Sequence, residues 1–132
     1  MRIYITHCSA KKNDSLKHTS KKVTPDKLYT ATPTQRFINK CKKRKVKWAI
    51  FSDLYGVWLP NVKHEWYEKN PNTVTEYEFK KLLKDFEQKL RNYDKIYFYH
   101  NPGRFHPLYK SLLRETGLKD KITLFSHIRE II

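Results

Sequence analysis

Three short apolar segments of the chain each run directly into a polar loop. They are residues 3–5, 48–51 and 96–99, and a short apolar run bounded by polar turn residues is typical of a buried strand. Segments with helical periodicity lie between them and lead to a fourth strand, giving the predicted order β-α-β-α-β-α-β. This alternation predicts parallel strands joined by right-handed crossovers, with helices on both faces of the sheet. We therefore expect a single three-layer α/β domain over residues 1–132, with a small, mainly parallel four-stranded sheet.

Local sequence signals place the ends of the predicted helices. Thr32 and Gln35 have the spacing of a capping box at the start of a first helix, and Thr75 and Glu78 repeat it at the start of a second. Gly117 is a natural end for a third helix, because glycine accepts the left-handed conformation that closes many helices. The stretch between the second strand and the second helix contains two prolines and is predicted to be irregular.

The charge of the chain restricts its partners. Lys and Arg number 28 against 13 acidic residues, which gives a net charge of +15, while aromatic residues reach 14% and support a folded core. A domain this basic favours nucleic acid or a nucleotide as partner, ahead of an anionic membrane and then an acidic protein. The alternative is that the charge serves only solubility or reflects the lysine enrichment of heat-tolerant proteins. There is no uninterrupted run of ~18 apolar residues and no apolar leader, so we expect no membrane association and a cytoplasmic location. The oligomeric state is left open.

The cysteines and histidines do not form a recognisable metal pattern. Cys8 and Cys41 are the only cysteines, and His7, His64 and Glu65 lack the spacing of zinc ligands. We therefore expect no metal and no cofactor.

Reactive side chains concentrate where the first three strands end. Because ligands bind at the carboxyl edge of an open α/β sheet, we expect Ser9, Asp53 and Asn101 to converge there. Backbone amides after the first strand, with Ser9, Lys11 and Lys12, are predicted to hold a phosphate, unless this is an ordinary solvated loop. Arg104 offers a forked guanidinium for a second phosphate contact.

Three residues are candidates for catalysis. Asp53 is predicted to act as a general base or to stabilise an oxocarbenium ion, with capping of a backbone turn as the alternative. Cys8 would be a nucleophile if nearby lysines lowered its pKa, and otherwise a buried structural cysteine. His100 is predicted to act as an acid-base group near neutral pH, with a plain loop histidine as the alternative.

Two further groups of residues are predicted to contact nucleic acid. Tyr55 would stack on a base and Asn101 would read a base edge, while Gly56 supplies a positive φ. The densest basic run is predicted to be a sequence-independent phosphate surface, with a merely solvated helix end as the alternative. It comprises Lys40, Lys42, Lys43, Arg44, Lys45 and Lys47.

Several of these motifs resemble known families. The segment Ser52–Pro60 resembles the "SGLYGVLRP" segment of the bacterial peroxide-stress protein family, which is linked to DNA binding and iron-dependent damage. The segment Ile5–Lys12 resembles that family's "ISPAKT" and the "CSAKK" motif of the glycosylase-like domain of archaeosine synthase. Across nearly the whole chain, the CSxxK, LYxxxxF, SxxYGL and xxGxxYxxxL pattern is similar to a family of small uncharacterised phage and prokaryotic proteins. Its counterparts here are residues 8–12, 28–37, 52–57 and 103–113.

The resemblance carries expectations about fold and activity. It implies a uracil-DNA-glycosylase-like or Rossmann-like fold and work on modified bases. The chain departs from the glycosylases themselves, because it lacks their Gly-Gln-Asp-Pro-Tyr loop and carries Asp53 after the second strand. We therefore expect a nucleotide- or nucleic-acid-associated protein that acts on a modified base in DNA or RNA. A non-enzymatic DNA- or RNA-binding domain and a module for acidic protein partners are the alternatives.

Overall fold

A computed structural model describes all residues, 1–132. The strands are β1 (Arg2–His7), β2 (Lys22–Val23), β3 (Trp48–Ser52), β4 (Gly56–Trp58), β5 (His64–Glu65), β6 (Lys95–Tyr99) and β7 (Ile122–Phe125). The helices are α1 (Pro25–Leu28), α2 (Thr32–Arg44), α3 (Glu76–Leu90) and α4 (Pro107–Glu115). Short 3-10 turns lie at Asp14–Leu16, Pro71–Thr73, Pro102–Arg104, Lys119–Lys121 and Ile128–Glu130. No helix combines the length and apolarity needed to cross a bilayer.

The main sheet has the order β4-β3-β1-β6-β7, with β1 at its centre. Strands β3, β1, β6 and β7 are parallel, and β4 is antiparallel to β3. The α/β fold and the mainly parallel sheet are confirmed, but the sheet has five strands rather than four. The additional strand, β4, lies in the stretch predicted to be irregular, where three residues are too short a run to show a strand period. Strands β2 and β5 form a separate antiparallel pair.

Aromatic contacts show that helices cover both faces of the sheet. On one face, Phe37 of α2 stacks on Tyr99 of β6 with ring centroids 5.8 Å apart. On the other, Phe51 of β3 packs edge-on against Phe86 of α3 and Tyr109 of α4. This distribution follows from right-handed crossovers that leave β1 and β3 in opposite directions along the sheet.

Two of the predicted helix ends differ from the structure. The capping box of α3, formed by Thr75 and Glu78, is confirmed. Helix α2 instead has Ala31 as its N-cap, and the Gln35 side chain donates to backbone carbonyls before the helix rather than to its own cap. Gly117 does not close α4, because this helix ends at Glu115. The N–H of Gly117 instead donates to the Glu87 carboxylate of α3.

Two side chains of α3 hydrogen-bond to the outer backbone groups of the edge strand β4, whose residues are buried. Asp85 accepts a hydrogen bond from the Val57 N–H at 2.7 Å, and Lys89 donates to the Val57 carbonyl at 3.0 Å. The same two side chains form an ion pair at 2.8 Å. Gly56 has the predicted positive φ, +75°, and its bare Cα lets the Asp85 carboxylate approach the backbone.

Candidate functional site

A cavity of about 630 Å³ opens at the carboxyl edge of the parallel strands. Because β1 pairs with both β3 and β6 in parallel, the loops after these three strands are neighbours. Ser9, Asp53 and Asn101 all line this edge cavity, as the alternating pattern predicts. The first turn of α2 forms part of its wall through Pro33 and Thr34.

Asp53 is the only acidic side chain on the cavity wall. The residue is 4% exposed, and its Oδ1 atom is buried without a hydrogen-bond partner. Burial raises the pKa of its carboxyl group, while the nearby Tyr67 hydroxyl, the Cys8 thiol and the positive charge of Lys12 oppose this shift. Asp53 is therefore a partly desolvated carboxylate that the protein itself does not fully satisfy.

The backbone turn beside Asp53 is capped by its neighbour. The Ser52 hydroxyl accepts hydrogen bonds from the N–H groups of Leu54 at 3.1 Å and Tyr55 at 3.0 Å. The alternative interpretation of Asp53 as the turn cap is therefore wrong. Ser52 is fully buried and performs that role.

Cys8 does not have the environment of an activated nucleophile. Its Sγ lies 3.2 Å from the Tyr109 hydroxyl, and the residue is 8% exposed. Burial, followed by the negative charge of Asp53, raises the pKa of the thiol to about 11. The prediction that neighbouring lysines lower this pKa is wrong, since the thiol stays protonated at neutral pH.

Three buried tyrosines pack around Cys8 and Asp53 and were not identified from the sequence. The hydroxyls of Tyr29 and Tyr67 are 2.6 Å apart, and Ser52 donates to Tyr67 at 3.1 Å. Tyr67 and Tyr109 line the cavity, and desolvation raises the pKa of both, so they are protonated hydroxyls. Tyr29 and Tyr109 fall within the motif segments that carried the family resemblance. Tyr67 lies in the irregular segment, where no periodic signal was present.

Two imidazoles, those of His7 and His100, also line the cavity. His100 has a buried Nδ1 without a hydrogen-bond partner, and desolvation lowers its pKa. The ring of His7 stacks on that of Tyr109 with centroids 4.9 Å apart, and its pKa is also lowered, first by desolvation. Both rings are therefore neutral at neutral pH and able to accept a proton.

The mouth of the cavity is basic. Lys12 and Arg104, which the sequence predicted to bind phosphate, both line the cavity. Two further basic residues that were not predicted, Arg36 and Lys69, line it as well. Lys69 is paired with Glu78 at 3.0 Å, whereas Lys12, Arg36 and Arg104 form no ion pair. Arg36 was missed because its helical position gave no sign that the N-terminal end of α2 meets the strand loops.

Hydroxyl and amide groups also line the cavity. Thr34 donates to the Ser9 hydroxyl at 3.3 Å, and both residues line the cavity. Asn101 also lines it, with its Oδ1 accepting from the Gly103 N–H at 3.0 Å. The side-chain carbonyl of Asn101 is thus used in a local turn, and its amide NH₂ is left for a ligand.

Some predicted site residues lie outside the cavity. Tyr55 does not line the edge cavity. Its ring stacks on His64 with centroids 3.9 Å apart, and its hydroxyl donates to the Glu65 carbonyl, so its predicted stacking on a base stays a prediction. Lys11 is exposed and does not line the cavity. The predicted phosphate surface lies at the far end of α2 and just beyond it. Its members Lys42, Lys43, Arg44 and Lys45 are all exposed, and only Lys42 is paired, with Asp26 at 2.8 Å.

No cluster of three or more His, Cys, Asp or Glu side chains has the arrangement of metal ligands.

Comparison with known proteins does not assign the chain to a family. Protein-family models, curated proteins and solved structures give no match to this chain. The motif resemblances described above therefore stay predictions.

Proposed function

We propose that the edge cavity binds a nucleotide unit and that Asp53 supports a reaction at its base or N-glycosidic bond. The observation that carries this proposal is the buried Asp53 carboxylate with one unpartnered oxygen on the cavity wall. Leaving a buried carboxylate oxygen without a donor costs stability, so a ligand group is the natural partner. A pKa raised above the ordinary aspartate range also suits a group that exchanges a proton during a reaction.

The phosphate of the nucleotide would occupy the basic mouth. Lys12, Arg36 and Arg104 supply unpaired positive charge there, and the hydroxyls of Ser9 and Thr34 supply hydrogen bonds. The N–H groups at the start of α2 add to the same potential, because helix N-termini favour anions. Such a division places the phosphate at the mouth and the sugar and base deeper in the cavity.

The deeper part of the cavity suits a base and its sugar. The volume of the whole cavity lies within the range of small-molecule sites, and the rings of Tyr67, Tyr99 and Tyr109 contribute flat, largely apolar walls. Cleavage of an N-glycosidic bond builds positive charge on the sugar, which an ionised Asp53 would stabilise. The motif resemblance to the glycosylase-like domain of archaeosine synthase supports a modified base. The missing Gly-Gln-Asp-Pro-Tyr loop argues against simple uracil excision.

The test compares Asp53→Asn with wild type on nucleosides, nucleotides, tRNA and damaged DNA, with released or altered bases followed by mass spectrometry. Asn keeps the size of the side chain and removes the charge, so we expect turnover to fall by about 100-fold or more. Ligand affinity should be retained or slightly raised, because a negative charge near the phosphate is lost. Asp120→Asn is the matched control, since Asp120 is exposed and outside the cavity.

Turnover that survives unchanged in Asp53→Asn would contradict the catalytic role of this residue. Binding without turnover on every substrate would instead favour the non-enzymatic alternative. In that case Asp53 would recognise a base or sugar donor, and Asp53→Asn would weaken binding while Asp120→Asn would not.

A further inference from the structure

Helices α2 and α3 differ sharply in charge although they cover opposite faces of one sheet. Helix α3 carries four acidic and four basic residues, and its ion pairs join neighbouring turns. Helix α2 carries five basic residues and no acidic residue. A solvated helix face needs no such imbalance, because mixed charges keep a protein soluble and repel less. The unbalanced positive charge of α2 therefore favours binding of an anionic partner.

Three of the basic residues of α2 form a line that starts at the edge cavity. Arg36, Lys40 and Lys43 have the spacing i, i+4 and i+7, which places them on one face of a helix, about one turn or 5.4 Å apart. The opposite face is the buried one, formed by Thr34, Phe37, Ile38 and Cys41. Arg36 lines the cavity mouth, whereas Lys40 and Lys43 lie outside it. We call these three residues the α2 stripe.

We propose that the ligand of the edge cavity is one nucleotide of a single nucleic-acid strand, whose neighbouring phosphates follow the α2 stripe. This proposal rests on the proposed function of the cavity and adds its substrate class. A free nucleotide carries a charge of about −2, which the cations of the cavity mouth already match. Lys40 and Lys43 are beyond the reach of a ligand enclosed in the cavity, and neither forms an ion pair. A strand that leaves the cavity along α2 would bring phosphates to both.

A single strand fits better than a duplex. A base inside a duplex is stacked and paired, so it must leave the stack before it can enter an enclosed site, whereas a single-stranded base is free to do so. The α2 stripe and the edge cavity together also resemble a single-strand groove, in which cations follow the backbone and aromatic walls receive a base.

The experiment measures the salt dependence of binding for a mononucleotide and for a strand of about ten nucleotides, a length within the usual site sizes. The probes are thymidine 5′-monophosphate with oligo-dT and uridine 5′-monophosphate with oligo-U, which separate DNA from RNA. The variant K40Q/K43Q removes the two stripe charges outside the cavity. The control K81Q/K84Q removes two exposed charges from α3, on the other face of the sheet, and changes the net charge equally.

We expect K40Q/K43Q to lower the slope of log affinity against log salt for the strand by about 1.4, since each lost phosphate contact on a single strand accounts for about 0.7. Its affinity for the mononucleotide should stay unchanged, and K81Q/K84Q should change neither. An equal effect of the two double variants on the strand, or no effect of K40Q/K43Q, would overturn the α2 stripe while leaving mononucleotide binding and the proposed function intact.

A different result identifies failure of the proposed function itself. If wild type binds neither mononucleotide, or if Arg104→Gln leaves mononucleotide affinity unchanged, then the cavity does not hold a nucleotide and this proposal is overturned with it. A strand of the same length in which every nucleotide is abasic gives the positive counterpart. It should keep the salt slope of the intact strand but bind more weakly, because its phosphates still follow the α2 stripe while no base can enter the cavity in any register.

Discussion

Two carboxylates flank the hairpin formed by β3 and β4, and they are used differently. Asp85 approaches from α3, accepts from the Val57 N–H and pairs with Lys89. Asp53 lies at the end of β3, is more deeply buried, and has an Oδ1 atom with no partner. The protein thus satisfies one carboxylate with its own groups and leaves the other facing the cavity.

A structural carboxylate differs from a candidate functional one in whether the fold accounts for its burial. Asp85 completes hydrogen bonds that an edge strand would otherwise leave open, so its role is explained by the fold. Asp53 does not cap its own turn, because Ser52 does so, and its Oδ1 atom accepts no hydrogen bond from the protein. Unexplained burial of charge at the carboxyl edge of a parallel sheet is the stronger reason to examine a residue than its position in a motif.

The largest loss of stability should follow from a substitution at Gly56 that displaces the structural carboxylate of Asp85. A Cβ at this position would meet the Asp85 carboxylate and would have to adopt a φ of +75°. We expect Gly56→Ala to lower the free energy of unfolding by about 2–4 kcal/mol, combining left-handed strain with displacement of Asp85. Chemical denaturation measures the change.

Gly103→Ala is the matched control for Gly56→Ala. Gly103 has no positive φ, and an added Cβ would meet only ordinary contact distances, so we expect a change within about 0.5 kcal/mol. Equal destabilisation by both variants would show that the hairpin does not depend on the close approach of Asp85.

A smaller loss should follow from removing the satisfied carboxylate itself. Asp85→Ala leaves the Val57 N–H without its acceptor and Lys89 without its partner, and should cost about 1–3 kcal/mol in denaturant unfolding. Asp120→Ala removes an exposed carboxylate with no side-chain hydrogen bond and should change stability by less than about 0.5 kcal/mol. A loss at Asp85 no greater than at Asp120 would mean that α3 does not hold the edge strand.

The smallest change should have the opposite sign and come from Asp53. Because its pKa is raised in the folded state, the folded protein holds this proton more tightly than the unfolded chain does. Stability should therefore fall as pH rises from the ordinary aspartate range through the raised pKa, and ionised Asp53 should destabilise the fold at neutral pH. Asp53→Asn should remove this decline and unfold at higher denaturant concentration at neutral pH.

Asp26→Asn should change the pH dependence of stability in the opposite direction to Asp53→Asn. Partial burial acts to raise the pKa of Asp26, but hydrogen bonds from Lys42 and Thr24 outweigh it, and the net pKa is lowered. Asp26 should thus contribute stability above the ordinary aspartate range that is lost as pH falls through its lowered pKa. If the stability of Asp53→Asn varied with pH in parallel with that of wild type, ionised Asp53 would not destabilise the fold.

Much of the framework was predictable because it depends on neighbours in the sequence. The three apolar runs gave β1, β3 and β6, and the alternation of strands and helices gave the fourth predicted strand, β7. The capping box of Thr75 and Glu78 gave the start of α3. The parallel order placed Ser9, Asp53 and Asn101 at one edge. The strand β4 was missed because it is only three residues long and depends on α3 for its hydrogen bonds.

The alternation of strands and helices, the basic charge and the edge at which polar loops meet follow from the sequence alone, since each depends on local pattern or composition. Which side chains reach the cavity depends instead on the packing of distant segments. This packing turned Tyr55 onto His64 and brought Tyr67 beside Cys8, because contacts between distant segments fix side-chain surroundings. It also raised the pKa values of Cys8 and Asp53, because desolvation depends on everything packed around a group and not on its neighbours in the chain.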